Sequence, residues 1–509
     1  MGKFENFDVI VAGTGNAASC AALSAQENGA KVLMIDAAPR EARGGNTAYA
    51  GGNMRIAYRG VDDLLKVISG LTDQDLANTD FGTYPEDQFL ETMGEVTQYR
   101  CDPELVEYLV RNSLDTLVWM RGRGVRFQAS FGPQSFRVGD KIRFWGNMPC
   151  EAWGGGAGLI ESLHSIAEKA GVRIVFDTPA VDLLRDNDRI TGVRVLHQGK
   201  MENISAKAVI LACGGFEANA EMRTRYLGPN WDMAKVRGTR FNTGKGLVMA
   251  LAAGARSYGH WSGAHATPGE LNAPEFGDLV VRGNYQKHGY PFGIMVNAEG
   301  NRFFDEGQNF WNVTYVKCGK ALVAQPGMFA WQIFDQRAIP LLRDPYRIKQ
   351  VTRVRADTID ELATKLEGVD ASQFLLTVKQ YNDAASSDEA PLDPSILDGC
   401  GTRGLAIPKT NWARKINEGP FEAYAVTTGI TFTFGGVKIT TNSEVEDTAG
   451  NPLPGLFAAG EMVGGLFYHN YPGGTGLTCG AVYGRTAGRS AALFARDVGQ
   501  GAAPGSSAA

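Results

Sequence analysis

Seven cysteines stand singly along the 509 residues, at 20, 101, 150, 213, 318, 400 and 479, and no C-x-x-C pair occurs. That spacing argues against a disulfide framework and supplies no zinc or iron–sulfur ligand set, so no metal is expected. Histidine is scarce too, six in all. There is no apolar run of about 18 residues and no charged-then-apolar leader. A cytoplasmic chain is therefore expected, one that meets a membrane only through a partner. Neither sign of charge dominates: 50 Lys and Arg stand against 55 Asp and Glu, net −5, with a pI near 5.8. Nucleic acid and anionic membrane are not expected as partners.

Glycine, by contrast, is abundant at 64 residues, as suits a chain that wraps a ligand in backbone turns. With 44% hydrophobic and 21% charged residues the composition is globular, and the length allows two domains or more. The tail at 499–509 (GQGAAPGSSAA) is expected to be disordered.

The most informative stretch is at the start. FDVIV at 7–11 reads as a buried strand, followed at once by Gly13, Thr14, Gly15, Asn16, Ala17 and Ala18. An Ala-rich helix pattern over 17–28 ends at Gly29; KVLMI at 31–35 is a second strand, and Asp36 sits at its carboxyl end. This is the βαβ dinucleotide fingerprint. Glycines admit a pyrophosphate, the helix N-terminus faces its charge, and the acid takes a ribose hydroxyl. Ala18 replaces the third glycine and still permits close helix–strand packing.

Three further segments favour FAD over NAD. The Arg43-Gly44-Gly45-Asn46-Thr47 loop, with Gly51 and Gly52 beyond it, can run along a pyrophosphate towards the flavin. AKAVIL at 206–211 breaks into a turn at Cys213 and Gly214; the strand-like segment 172–177 and the turn-rich stretch up to Gly199 precede it, as a three-stranded insert would. LFA at 456–458 leads into Gly460 and Glu461, whose carboxylate can reach the ribityl chain. Gly473, Gly474, Thr475, Gly476 and Leu477 then open a helix whose positive end suits a reduced flavin. Gly156, in GGGAG, and Ala180 complete the expected cofactor contacts.

The pieces DVIVAGTGNAA, GGNTAYAGG, GGGAGLIESL, MVNAEGNRF, TFTFGGVKI and PGLFAAGEMVGG occur in an order that resembles the fumarate reductase and succinate dehydrogenase flavoproteins. The likeness runs over roughly 6–498. QKHGYPFGIMVN, AWQIFD and GGLFYHNYPGGTGLTCGAV are most similar to the FAD-dependent tricarballylate dehydrogenases within that family. The resemblance implies an α/β chain: a Rossmann-like FAD-binding domain at 1–260 and 426–498, interrupted by a smaller α+β capping domain at 261–425. It also implies a substrate held between the two. Covalent members attach FAD through a histidine where this chain has Asn46, so non-covalent FAD is expected.

The implied chemistry is C–C desaturation beside an electron-withdrawing group. One carbon loses a proton to a base, and its neighbour passes a hydride to flavin N5. The family's substrate histidine corresponds to His265 in GAHAT. With an insertion of about seven residues, VRGN at 281–284 matches the family's proton-transfer segment, which makes Arg282 the candidate. The insertion carries Lys287, His288 and Tyr290, and His288 or Tyr290 can serve as base instead. Two family anchors are missing: the histidine that grips succinate reads Thr431 or Phe432 here, and the arginine reads Tyr471. The Tyr-Pro-Gly pattern also resembles 3-ketosteroid dehydrogenases, where such a tyrosine and a backbone N–H, here that of Thr475, hold the ketone oxygen. His469 joins His265 and His288 as a histidine in a substrate segment. Arg137, Lys141 and Arg143, in an aromatic and basic stretch at 126–145, read either as an entrance for extra carboxylates or as a solvated hairpin.

Three functions follow. The leading one is desaturation of a polycarboxylate, by resemblance tricarballylate to cis-aconitate. The second is desaturation of a cyclic ketone or keto acid. The third is a flavin-binding electron-transfer subunit, against which the ionisable cluster at 282–290 speaks. Electrons are expected to leave to a separate protein, a quinone or oxygen.

Overall fold

The computed structural model describes residues 4–132, 134–385 and 392–500. Of the tail expected to be disordered, Gly499 ends the helix Thr475–Gly499 and Gln500 caps it; 501–509 lie outside the described residues.

A parallel strand covered on both faces buries every side chain, so it reads as a continuous apolar run rather than an alternating one. Phe7–Ala12 is buried except at Asp8, and Val32–Ile35 is buried throughout. These strands join Lys200–Leu211 and Pro452–Ala458 in one sheet, ordered Glu444–Glu446, Pro452–Ala458, Lys200–Leu211, Phe7–Ala12, Val32–Ile35, Arg173–Val175. The last five run parallel, and Glu444–Glu446 is the antiparallel edge. The expected α/β class is observed. One expectation is corrected: Arg173–Val175 pairs with Leu33–Ile35 at the edge of this sheet and does not open the insert. The antiparallel insert consists instead of Ala180–Asp186, Arg189–His197 and the first half of Lys200–Leu211.

The helix Asn16–Glu27 is rich in alanine because it packs closely on Thr475–Gly499, whose Gly484 and Gly488 face the backbone of Ala17 and Ala21. Apolar side chains from the strands and both helices merge into one core.

The chain divides into two compact units. One comprises the residues up to Leu227, Gly238–Ala264 and those from Phe432 onward; the other comprises Gly228–Arg237 and His265–Thr431. The division expected at 260/261 and 425/426 lies within the strands Ser257–Glu270 and Phe421–Val437. A strand carries no turn signal where the chain changes allegiance, so the offset of a few residues has no local mark. Segment 228–237 belongs to the second unit because Lys235 and Val236 pair in parallel with Gly429 and Ile430, nearly 200 residues on.

In the second unit Ile294–Asn297, Phe329–Phe334 and Arg353–Ala356 pair directly or in turn with the long strand Phe421–Val437. A separate core of Ile294, Val296, Trp331, Ile333, Phe374 and Tyr381 lies against these strands. Among the described residues no helix is long and apolar enough to cross a membrane, and no group of three or more His, Cys, Asp or Glu is placed to hold a metal.

Candidate functional site

Four parallel strands deliver four sequence-predicted segments to one edge of the sheet. Phe7–Ala12 ends in Gly13, Val32–Ile35 in Asp36, Lys200–Leu211 in Cys213 and Gly214, and Pro452–Ala458 in Gly460 and Glu461. Ligands of such sheets bind outside the carboxyl ends of the strands. The edge is drawn tight by backbone bonds: Gly13 N–H donates to Ile35 O at 2.8 Å, Ala212 N–H to Ala12 O at 2.9 Å, and Ala459 N–H to Leu211 O at 3.1 Å. Gly13 has φ +115°, and a Cβ there would overlap the Ala212 carbonyl, so only glycine fits.

Polar side chains organise the loops above this edge. The Thr14 hydroxyl donates to the Asp36 carboxylate and accepts Gly44 N–H at 3.2 Å. Ala38 N–H donates to Asp36 at 2.8 Å. Burial nonetheless raises the Asp36 carboxyl above its ordinary range, the Thr14 and Ala38 donors only partly opposing it. Asn16 N–H donates to Thr47 Oγ1 at 3.1 Å, and Asn16 Nδ2 to Leu477 O at 2.7 Å. The first glycine turn is thereby tied to the 3₁₀ turn Gly45–Tyr49 and to the opening of the helix Thr475–Gly499. Gly156 N–H donates to Ala50 O at 3.0 Å, which brings the helix Gly155–Lys169 onto that same turn beside Gly51 and Gly52. Ala180 starts the insert, paired with Val195.

A buried acid pair, absent from the sequence reading, forms a second layer. Glu217 Oε1 accepts Asn46 Nδ2 and Asn242 Nδ2, each at 2.6 Å. Asn46 Oδ1 in turn accepts Thr239 N–H at 2.8 Å. Glu461 Oε1 accepts Thr433 N–H at 2.7 Å and Thr433 Oγ1 at 3.0 Å. The two carboxyls face each other out of water. Burial raises both, Glu461 well above the carboxylate range with Glu217 as its next cause.

The residues fit an FAD. At Gly13, Gly44, Gly52 and Gly156 a Cβ would collide with neighbouring atoms, and two buried polar atoms nearby, Glu217 Oε2 and Thr475 Oγ1, have no hydrogen-bond partner in the protein. Asp36, Glu461 and the N-terminus of the helix Thr475–Gly499 supply the acid, acid and dipole that such a group uses.

Tyr471 lies in the same unit. Its Oη accepts Gly476 N–H at 2.7 Å, and its ring is 6.0 Å from that of Phe432. Thr475 N–H donates to Pro472 O at 3.3 Å, a long bond. His469 has φ +60°; its N–H donates to His260 Nδ1 at 3.0 Å, and the two rings are 4.9 Å apart. His260 had no motif to mark it.

In the second unit, Arg282 is exposed on a 3₁₀ turn, φ +55°, and its Nε donates to Leu279 O at 3.2 Å. Tyr290 is fully buried and its hydroxyl pairs with Thr314 Oγ1 at 2.6 Å; burial pushes its pKa well above the usual value. His288 and His265 are both buried: His288 Nε2 lies 2.6 Å from Thr267 Oγ1, His265 Nε2 2.7 Å from Tyr315 Oη. Burial lowers both imidazoles well below their ordinary pKa, with Arg237 contributing at each, so both are neutral near pH 7. Lys287 donates to Pro345 O at 2.8 Å and is 4.0 Å from Glu270, with its pKa brought down to about 8 by burial. In the hairpin, Arg143 pairs with Asp80 at 2.8 Å and Lys141 donates to Ala77 O.

Comparison with known proteins gives the following. The family model described as FAD binding domain matches residues 8–477. The chain is 32% identical over 501 residues to a fumarate reductase (cytochrome) of Shewanella frigidimarina, covering 97% of this chain and 78% of that protein. It is 29% identical over 497 residues to the NADH:fumarate oxidoreductase of Klebsiella pneumoniae, covering 97% of this chain but 48%, about half, of that longer protein. The solved structure of the open conformation of a flavocytochrome c3 fumarate reductase matches with a TM-score of 0.71 at 27% identity, over 96% of this chain and 79% of that one.

Proposed function

The chain belongs to the FAD binding domain family, and from that premise we propose that it is an FAD-dependent oxidoreductase desaturating a polycarboxylate, tricarballylate to cis-aconitate. The observation that carries this reading is the set of buried ionisable groups in the second unit. Arg237, Arg343 and Lys287 bring positive charge to the neutral imidazole of His288 there, where a ketone would ask for little. When bound, FAD supplies the two-electron acceptor for the hydride. The protein's own part is to polarise the activating group and take the proton. Tyr471, with its oxygen held by Gly476 N–H, is the donor on the developing negative charge, and Thr475 N–H is its partner. The proton acceptor belongs to segment 282–290. Arg282 is the first candidate there, ahead of the neutral imidazole of His288 and the hydroxyl of Tyr290. His265 and His469 complete the substrate contacts. In this reading the enzyme is cytoplasmic, and electrons pass on to a separate protein or quinone.

Tricarballylate is expected to bleach the flavin faster than any cyclic ketone in anaerobic stopped-flow mixing. Rapid bleaching by a cyclohexanone and none by tricarballylate would instead establish the second reading, a cyclic-ketone desaturase. The specific support for that alternative is Tyr471, whose oxygen is held by Gly476 N–H at the opening of the helix Thr475–Gly499.

FAD is held without a covalent bond in this proposal. The Asn46 amide is engaged by Glu217 and Thr239, and an amide is no nucleophile for the flavin. Acid precipitation should release the yellow colour into the supernatant; colour retained in the pellet would refute the assignment.

A further inference from the structure

The second unit contains a layered cationic cluster that no motif marks. The Arg343 guanidinium carbon lies 4.2 Å from the centre of the Trp311 ring. Trp311 stacks on His288, with ring centres 4.9 Å apart and planes at 20°. Tyr315 borders both histidines, 5.1 Å from the His288 ring and 5.0 Å from the His265 ring. Arg237 enters from the short strand at 235–236. Its Nη1 donates to Thr431 Oγ1 at 3.1 Å and its Nη2 to Gln286 Oε1 at 3.2 Å.

Two features of this cluster point to a ligand. First, His288 Nδ1 and Trp311 Nε1 are buried and have no hydrogen-bond partner in the protein. Polar atoms so placed are costly, and neighbouring orphans in one stack mark a place where a bound group completes the bonding. Second, positive charge converges on the stack. Arg343 and Arg237 both act on the His288 ring, and Arg237 and Lys320 on His265, while burial brings Arg343 itself down to about 10. The nearby cation Lys287 faces Glu270 and two backbone carbonyls. The planar fork of an arginine grips a carboxylate by two parallel bonds.

We propose that Arg237 and Arg343, with His288 Nδ1 and Trp311 Nε1 between them, form the carboxylate-binding clamp for the charges of the substrate remote from the bond being oxidised. The assignment rests on the polycarboxylate reading, with Arg282 as the proton acceptor and His288 as a donor to a carboxylate, and explains how the chain dispenses with the succinate-gripping histidine and arginine.

The test uses the oxidised FAD-loaded enzyme and cis-aconitate, which that form does not desaturate further, so binding is read without turnover. Titration calorimetry on Arg237→Gln and Arg343→Gln should show the cis-aconitate Kd raised about 10–100-fold in each. The Kd of crotonate, a monocarboxylate, should change by less than about threefold, since a single carboxylate does not need the clamp. Arg237→Lys and Arg343→Lys keep the charge and lose the fork; they should fall between wild type and Gln, and their FAD content checks that the fold is intact. Wild-type affinity for cis-aconitate in both Gln variants, with the wild-type flavin still bleached by tricarballylate, overturns the clamp alone. A wild-type enzyme that binds no polycarboxylate overturns the substrate reading and the clamp together.

Discussion

Tyr471→Phe should reduce its flavin about 10²–10³ times more slowly than wild type, the usual loss for one donor on a developing oxyanion. The substitution removes one oxygen and leaves the ring against Phe432 and Phe467. It also leaves Gly476 N–H without its acceptor at 2.7 Å, a cost of about 1–3 kcal/mol at the first turn of a long helix. Folding and FAD content should therefore survive while the chemical step fails. Anaerobic single-turnover mixing separates the two, because it reads the first reduction and not the later loss of electrons. A variant that bleaches at the wild-type rate would remove the hydroxyl from the chemistry.

Gly156→Ala should yield protein with little or no FAD and a clearly lowered unfolding midpoint. A Cβ at this position would overlap the Thr47 carbonyl oxygen and lie 2.8 Å from Ala50 O, inside ordinary contact. Both neighbours are backbone, so no rotamer can give way. Either the helix Gly155–Lys169 withdraws or the turn Gly45–Tyr49 shifts. Each movement breaks the 3.0 Å bond from Gly156 N–H to Ala50 O, and a shifted turn also pulls Thr47 from Asn16 N–H. Overpacking of this kind costs roughly 1–3 kcal/mol before the lost bonds are added. FAD content from the absorbance ratio, with a thermal melt, decides the matter. Full cofactor and a wild-type midpoint would mean that this turn is not part of the cradle.

Much of the first unit could be read from the sequence because its signals are local. A strand, a glycine turn and a helix occupy Phe7–Glu27 without interruption, and the acid at 36 follows within the same βαβ unit. Each later strand that reaches the cofactor edge also announces itself by an apolar run ending in glycine. The unit boundaries were less visible, since Ser257–Glu270 and Phe421–Val437 pass through them as unbroken strands. Glu217 was missed for another reason. It follows a recognised turn at Gly214 and Gly215, but its partners Asn46 and Asn242 are 171 and 25 residues away, so only the folded chain makes it a buried acid. Arg237, Trp311 and Arg343 are likewise ordinary residues in sequence. Their meaning comes from stacking, which has no period along the chain.

The pairing of the helices Asn16–Glu27 and Thr475–Gly499 also sets a clock on biosynthesis. The glycine-lined face that covers Ala17 and Ala21 is made roughly 450 residues after the first helix. At translation rates of roughly 5–20 residues per second, that is about 20–90 s during which the alanine face and the open edge of the sheet stand without their native cover. Exposed apolar surface of this kind makes an incomplete chain prone to aggregation over that interval.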